Sequence, residues 1–149
     1  AIVGFTDAHT RAHLYRAMIE GLTYALREGK ELLEKRSGTA LKRLVISGGG
    51  SQSDQVMQIT ADIFGMAVER PHTYETSGLG AAIAAAVSTG VYKDFPTAVA
   101  QMSHVADRFE PQPANQTIYQ ALYNDVYKKM YRNLKPTYKA IRAITGYPA

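Results

Sequence analysis

The pattern of apolar and polar positions predicts a series of helices interrupted by two short strands. Apolar residues recur at helical spacing over residues 8–35, with Thr6 or Asp7 as the expected N-cap and charged residues on the other face. We expect residues 37–39, which include Gly38, to end this first helix. Its apolar stripe, which we expect to face the core, is formed by Leu14, Met18, Leu22, Ala25 and Leu26.

A strand–helix–strand unit follows. Residues 44–47, LVIS, form a short apolar run typical of a buried strand, and residues 66–70 form a second one that Pro71 closes. Between them, residues 53–64 have helical periodicity, and Gly65 is the expected stop. The inner stripe of this helix is expected to be Val56, Ile59 and Ile63. Two strands joined by one helix over so short a span indicate a parallel, right-handed crossover.

The second half of the chain is predicted to be mostly helical. Small residues at 78–87 predict a helix that packs closely, and another helix is expected over 94–104, before an extended segment at 109–113. A long helix is expected from Thr117, with Pro136 kinking or ending it. Its tyrosines recur every four residues, which is typical of the edge of a core: Tyr119, Tyr123, Tyr127 and Tyr131. The neighbouring aliphatic stripe is Ile118, Leu122, Val126, Met130 and Leu134. The pattern therefore predicts one helix-rich α/β domain with a small sheet.

Composition narrows the class of protein. The chain has 149 residues, 46% of them hydrophobic and 20% charged, as expected for a globular protein, and it contains no cysteine. No apolar run reaches the roughly 20 residues of a membrane span. The net charge of +4 is concentrated in the last helix, which we interpret as a solvated face, since no nucleic-acid-binding motif accompanies it. We therefore expect no membrane or nucleic-acid partner and a cytoplasmic location, and the apolar start at Ala1 suggests a segment of a longer protein.

The strongest candidate for a binding site is the turn at residues 47–54, SGGGSQSD, between the first strand and the next helix. Bare glycines allow a flat or anionic ligand to approach the backbone, and free N–H groups at a helix start attract anions. A tight connection with a serine cap is the simpler interpretation. A Walker loop is excluded because no lysine follows the glycines. The dinucleotide fingerprint lacks a glycine at Ser53, although Glu69 stands where its acidic residue is expected, so a non-catalytic nucleotide or dinucleotide-binding module remains an alternative.

Other polar residues give weaker signals. His9 and His13 share a helix face, as zinc ligands would, but no third ligand is evident, so we expect no metal site. Arg16 and Glu20 are spaced for an ion pair along a helix, and His72 and His104 are expected at the surface. Scattered acidic residues do not indicate a pair for general acid–base catalysis.

Four blocks of residues, in this order, resemble the second domain of FGGY-family carbohydrate kinases. These are FTxxH at residues 5–9 with LYRAxxEG at 14–21, SGGGSxS at 47–53 with QIxADIxG at 58–65, E and GxGAA at 75–82, and FxP at 109–111 before the final tyrosines. The resemblance implies an actin-like ATPase (ribonuclease H-like) fold, with a small mixed sheet. Residues 1–149 would be the C-terminal, adenosine-binding domain of a two-domain kinase, incomplete at its N-terminus.

The resemblance also implies which residues meet the nucleotide. Gly49, Gly50 and Ser53 would line the adenosine pocket, with Gly48, Ser51 and Asp54 beside them. ATP or ADP would be the ligand, with Mg²⁺ held by residues outside this chain. The catalytic base and the phosphate loops would also lie outside it, so we expect no catalytic residue here, no activity of the chain alone, and a sugar substrate bound mainly by the absent domain. A homo-oligomer is compatible with the family. Because no lysine or arginine flanks the glycines, adenosine and ADP are expected to bind with similar affinity.

Overall fold

The computed structural model describes residues 1–147 as a small mixed sheet surrounded by helices. Residues 148 and 149 of the expected domain lie outside the described residues. The elements, in chain order, are α1 (Arg11–Ser37), β1 (Leu44–Val45), a 3₁₀ turn (Gly49–Gln52), α2 (Asp54–Phe64), β2 (Val68–Pro71), α3 (Thr76–Ser88), α4 (Phe95–Met102), β3 (Val105–Phe109), α5 (Pro113–Ala121), a π-helical segment (Leu122–Tyr127) and α6 (Lys128–Thr145).

The first helix begins later than predicted. Its N-cap is Thr10, whose hydroxyl and backbone N–H both contact His13 Nδ1, at 2.9 and 3.1 Å. The prediction of Thr6 or Asp7 was wrong because Thr6 makes a separate turn, in which His9 N–H donates to Thr6 O at 3.1 Å. Gly38 ends the helix with φ 68°, as predicted, because a residue without Cβ adopts this left-handed conformation at little cost.

The sheet is mixed and its order is β1-β2-β3. β1 and β2 are parallel, with Leu44 opposite Val68, and α2 is the crossover between them, as predicted. β3 runs antiparallel to β2, with Val68 opposite Phe109. Sequence reasoning missed β3 because its side chains are mostly exposed and its apolar residues do not form a run.

Two clusters of buried side chains lie on either side of α2. The first joins α2 to the sheet and consists of Met57, Ala61 and Val68, with Leu44, Ile46 and Phe109 packed against it. The second joins α2 to α1 and to the C-terminal helices, and consists of Tyr24, Ile63, Tyr119 and Tyr123. Of the inner stripe predicted for α2, Ile63 is fully buried and Ile59 packs against the second cluster. Because α2 contributes to both clusters, its position is fixed on two sides.

The tyrosine stripe enters the core at Tyr119 and Tyr123, which are 4% and 0% exposed. The aromatic rings of Tyr24 and Tyr123 are stacked with centroids 5.8 Å apart, and the Arg27 guanidinium lies 4.1 Å from the centre of the Tyr123 ring. Farther along, Tyr131 is exposed, and so are Ile118, Leu122 and Val126 of the aliphatic stripe. The core edge therefore follows the first tyrosines and not the aliphatic residues.

A buried carboxylate joins α2 to the start of α5. Asp62 is 2% exposed and accepts hydrogen bonds from Gln58 Nε2 at 2.9 Å, Gln112 N at 2.8 Å and Asn115 Nδ2 at 2.8 Å. Gln112 is the N-cap residue of α5, which begins at Pro113, four residues before the predicted start at Thr117. Proline at the first helical position lacks the N–H that would be unpaired there, so it favours this start. Asp62 satisfies the N–H group that precedes the proline.

Two predictions about exposure were wrong. The apolar stripe of α1 faces outward, with Leu22 69% and Leu26 63% exposed, while Thr23 and Tyr24 carry the buried side. β1 is an edge strand, and Val45 is exposed on it, because no described residue pairs with its outer edge. Both surfaces border a groove of about 410 Å³, which is lined by Leu26, Leu33, Val45 and Phe64 among others.

The remaining helices extend from the sheet. α3 contacts α4, and most of the small residues of α3 are exposed. Asp94 caps α4 by accepting a hydrogen bond from Thr97 N at 2.8 Å. Pro136 lies inside α6, so the final helix continues to Thr145 and does not end at the proline. Within residues 1–147, no helix combines the length and apolarity needed to cross a bilayer.

Candidate functional site

The glycine turn lies at the carboxyl end of β1, where the chain leaves the sheet and enters α2. Gly48 has φ 88° and ψ −179°, a backbone conformation that residues with a Cβ rarely adopt, so glycine is required there. Gly49–Gln52 then form a single 3₁₀ turn, and Ser53 is the N-cap of α2. The carboxyl edge of parallel strands, followed by a helix N-terminus, is where open α/β sheets bind their ligands.

The first end of the turn is held by the segment that leads into α3. Gly48 N–H donates to Tyr74 O at 3.2 Å, and the hydroxyls of Ser47 and Thr76 are hydrogen-bonded at 3.0 Å. Since Thr76 is the first residue of α3, the N-termini of α2 and α3 lie at the same edge of the sheet. Two helix N-termini there add positive electrostatic potential beside the turn.

The serines of the turn are engaged within the protein. Ser51 is fully buried, and its hydroxyl donates to Gly48 O at 2.7 Å. Ser53 Oγ accepts a hydrogen bond from Val56 N at 3.4 Å and donates one to Gln55 Oε1 at 3.1 Å. Both serines therefore shape the turn and start the helix, and Ser53 is partly exposed at the surface of the site.

Asp54 forms an ion pair that sequence reasoning missed. Arg70, on β2, donates from Nη1 to Asp54 Oδ1 at 2.8 Å and to Ser51 O at 3.0 Å. Its Nη2 lies 2.7 Å from Asp107 Oδ2 on β3, and its guanidinium lies 5.3 Å from the centre of the Phe109 ring. The hydrogen bonds that Arg70 donates to Asp107 and then to Asp54 raise the pKa of Arg70, so it stays charged. No arginine neighbours the glycines in sequence, but pairing of the strands brings this one against the turn.

Gly49 and Gly50 remain as the open part of the turn. Both are exposed, neither has a positive φ, and an added Cβ at either position would meet no atom within 4 Å. A flat ligand could therefore lie directly on this stretch of backbone. The structure places all six predicted residues in one continuous turn, with Gly49 and Gly50 most accessible and Ser51 inside.

The residues that a dinucleotide site or a zinc site would use are engaged in other contacts within the protein. Glu69, the acidic residue expected in a dinucleotide site, is paired with Arg43 at 2.6 Å and with Arg108 at 3.3 Å. His9 and His13 each use Nδ1 to contact a threonine, and their rings meet edge to face at 5.4 Å. Within residues 1–147, no three His, Cys, Asp or Glu side chains cluster closely enough to hold a metal ion.

Two further polar arrangements lie outside the glycine turn, one around Arg16 and Glu20 and one between His72 and His104. Arg16 and Glu20 form the predicted ion pair at 2.8 Å, and both also bind the Tyr119 hydroxyl, Arg16 Nη2 at 2.8 Å and Glu20 Oε1 at 2.7 Å. His72 and His104 are exposed, as expected, and they stack on each other with ring centroids 4.1 Å apart. The contacts with Tyr119 and the stacking of His72 on His104 join residues far apart in the chain, so no local pattern could reveal them.

Known proteins resemble this chain in both sequence and fold. Residues 1–89 match the model of the C-terminal domain of the FGGY family of carbohydrate kinases. The chain is 33% identical to xylulose kinase of Lactococcus lactis over 89% of its length, and 38% identical to glycerol kinase of Pseudothermotoga lettingae over 86%. It spans 26% and 24% of those relatives, about a quarter of their length.

The fold is shared with solved kinases. The crystal structure of xylulose kinase from Rhodospirillum rubrum superposes with a TM-score of 0.76 at 29% identity, covering 93% of this chain and 28% of that one. The expected fold, the second domain of an actin-like ATPase with a small mixed sheet, is thereby confirmed. The matched region, residues 1–89, includes α1, the glycine turn, α2 and α3. This chain belongs to the FGGY family of carbohydrate kinases.

Proposed function

We propose that this chain is the adenosine-binding part of a kinase that transfers a phosphoryl group from ATP to a hydroxyl of a sugar or polyol. The observation that carries the proposal is the exposed backbone at Gly49 and Gly50, at the carboxyl edge of parallel strands, with no atom within 4 Å of an added Cβ. The space that a side chain would fill there is available to an adenine or ribose ring, so the residues present fit the nucleotide.

The six residues of the turn have different roles in this proposal. Gly49, Gly50 and the exposed side of Ser53 would contact the nucleoside. Gly48 provides the left-handed bend, Ser51 closes the turn from inside through its hydrogen bond to Gly48 O, and Asp54 is held beside the site by Arg70. Three of the residues therefore present the surface and three support it.

The phosphoryl-transfer machinery is proposed to lie outside the chain. Transfer requires Mg²⁺, groups that hold the β- and γ-phosphates, and a base positioned at the acceptor hydroxyl. No metal-binding cluster occurs within the described residues, and Arg70, which is hydrogen-bonded to the turn, already binds two carboxylates. We therefore expect the chain to bind nucleotide without catalysing transfer when it is separated from the rest of the kinase.

The exposed apolar surfaces support a larger parent protein. Exposed apolar side chains occur on the outer face of α1, on the edge strand β1 and along the groove of about 410 Å³ between them, and apolar surface grouped in this way marks an interaction site. The matched segments make up only 26% and 24% of the xylulose kinase and glycerol kinase relatives. We infer that another part of the full-length polypeptide covers this area.

A substrate screen tests the kinase activity. The full-length polypeptide that carries this chain should transfer phosphate from ATP to at least one ketopentose or polyol. The relatives are named for xylulose and glycerol, so these compounds are included first. The isolated chain should show no transfer to any of them. Turnover by the isolated chain, or ATP-independent chemistry in the full-length protein, would contradict the proposal.

A further inference from the structure

Arg70 connects the glycine turn to the sheet. From β2 it donates to the backbone oxygen of Ser51 at 3.0 Å and to the carboxylate of Asp54 at 2.8 Å, both through Nη1. On its other side, Nε and Nη2 lie 2.9 and 2.7 Å from Asp107 Oδ2 on β3. Its side chain is 20% exposed, so the guanidinium fills the space between the turn, the start of α2 and the strands.

The turn between its two attachment points consists of glycine. Gly48 is held by its hydrogen bond to Tyr74 O, and Ser51 is held by Arg70. Gly49 and Gly50 lie between them, and no side chain of their own restricts their backbone. Glycine has more conformational freedom to lose than any other residue, so a two-glycine stretch keeps one conformation only if both ends are fixed.

We propose that Arg70 is a positioning residue for the nucleotide, holding the turn in the conformation that receives the adenosine moiety; this inference rests on the proposed function. Arg70 acts through Ser51 and Asp54 and does not touch the ligand. A planar guanidinium suits this role because its donors point in fixed directions and can bind the carbonyl and two carboxylates together. A lysine ammonium cannot hold all three in the same geometry.

The net charge of Arg70 and its two carboxylate partners distinguishes a positioning role from direct binding of a phosphate. Arg70 faces Asp54 and Asp107, so the three side chains together carry one negative charge. Such a group does not favour a phosphate. If Arg70 only positions the turn, its loss weakens adenosine and ADP by the same factor. If it bound a phosphate, ADP alone would be weakened.

The test measures adenosine and ADP binding to the full-length polypeptide by calorimetry, for wild type, Arg70→Met, Arg70→Lys and Gly49→Val. Methionine keeps much of the aliphatic stem over Phe109 and removes the donors. The matched control is Arg108→Met on β3, since Arg108 binds Glu69 and Glu110 and is not hydrogen-bonded to the turn. Urea unfolding of each variant separates loss of stability from loss of the site.

The expected result is that Arg70→Met weakens adenosine and ADP equally, by roughly tenfold, as the loss of hydrogen bonds from a charged donor suggests. Arg70→Lys should recover only part of the affinity, and Arg108→Met should bind both ligands as wild type does. In the kinase reaction, Arg70→Met should raise KM for ATP by a similar factor and leave KM for the sugar unchanged.

Each of the other possible results contradicts a different part of the proposal. Wild-type affinity in Arg70→Met, with binding lost in Gly49→Val, refutes the role of Arg70 and leaves the adenosine site intact. Selective loss of ADP affinity refutes positioning in favour of phosphate contact. An equal loss in Arg108→Met shows that the effect belongs to the sheet as a whole. Failure of wild type to bind either ligand, or unchanged binding in Gly49→Val, refutes the proposed site itself and the inference that rests on it.

Discussion

Two tyrosines of the same cluster should differ in stability when each loses its hydroxyl, because only one of the two hydroxyls is hydrogen-bonded. Tyr24 is 7% exposed, and its hydroxyl has no hydrogen-bond partner within the described part of the chain. Tyr119 is equally buried, but its hydroxyl donates to Glu20 Oε1 at 2.7 Å and accepts from Arg16 Nη2 at 2.8 Å. The rings lie 6.3 Å apart, so phenylalanine at either position keeps nearly the same packing.

The magnitudes follow from what each hydroxyl contributes. A buried, unpaired polar group costs about 1–3 kcal/mol, so Tyr24→Phe should leave stability unchanged or raise it by about 1 kcal/mol. Hydrogen bonds to charged groups are worth about 1.5–3 kcal/mol, but Arg16 is largely exposed and keeps its pair with Glu20. Tyr119→Phe should therefore lower stability by about 1–2 kcal/mol.

Urea unfolding followed by circular dichroism at pH 7, with the chain at low micromolar concentration, measures both values. The free energies of unfolding of the two variants should differ by about 2 kcal/mol. In thermal unfolding of the same samples, their midpoint temperatures should differ by several degrees, since each kcal/mol shifts the midpoint of a domain of this size by about 2–4 °C. Equal changes in the two variants, or destabilisation by Tyr24→Phe alone, would refute the assignment of the hydrogen bonds.

Three further predictions concern pH, a buried carboxylate and the outer face of α1. Burial raises the pKa of four tyrosines: Tyr24, Tyr119, Tyr123 and Tyr127. Because their folded pKa exceeds the unfolded value of about 10, their contribution to stability is complete below pH 10 and is lost above it. A titration at 295 nm should show late ionisation that coincides with unfolding, and all ten tyrosines titrating together in folded protein would contradict this. Asp62→Ala removes the buried acceptor of three hydrogen bonds and should lower the free energy of unfolding by about 2–3 kcal/mol, whereas no change in urea midpoint would contradict its role. The isolated chain should self-associate through the exposed stripe of α1, and Leu22→Lys with Leu26→Lys should reduce the sedimentation coefficient to that of a monomer; an unchanged oligomer would contradict it.

Local signals predicted α2 and its surroundings well. The serine cap, which the structure places at Ser53, not at Ser51, depends on residues close together in sequence, and so do Gly65 as stop and the parallel crossover, since capping and periodicity act locally. The glycine turn was also predicted from local sequence, because consecutive glycines between a strand and a helix are typical of a tight turn. The resemblance to a kinase family then added a ligand that the local chemistry does not specify.

Features that depend on distant partners could not be predicted. β3 exists because Val68 pairs with Phe109, and the contact of Arg70 with the turn depends on the position of β2 in the sheet. The apolar stripe of α1 was assigned to the core because periodicity shows which face is apolar without showing what covers it. Tyr24 occupies the core instead, since the C-terminal tyrosines pack against it.

The adenosine site is tested most directly by calorimetric titration of ADP into the full-length polypeptide, comparing wild type with Gly49→Val and Gly21→Val. Neither glycine has a positive φ, a Cβ at either meets nothing within 4 Å, and neither lines the apolar groove, so both variants should fold. We predict that Gly49→Val loses affinity on the order of tenfold or more, while Gly21→Val on α1 binds as wild type does. ADP binding that is unchanged in folded Gly49→Val would contradict the placement of the nucleotide on the glycine turn.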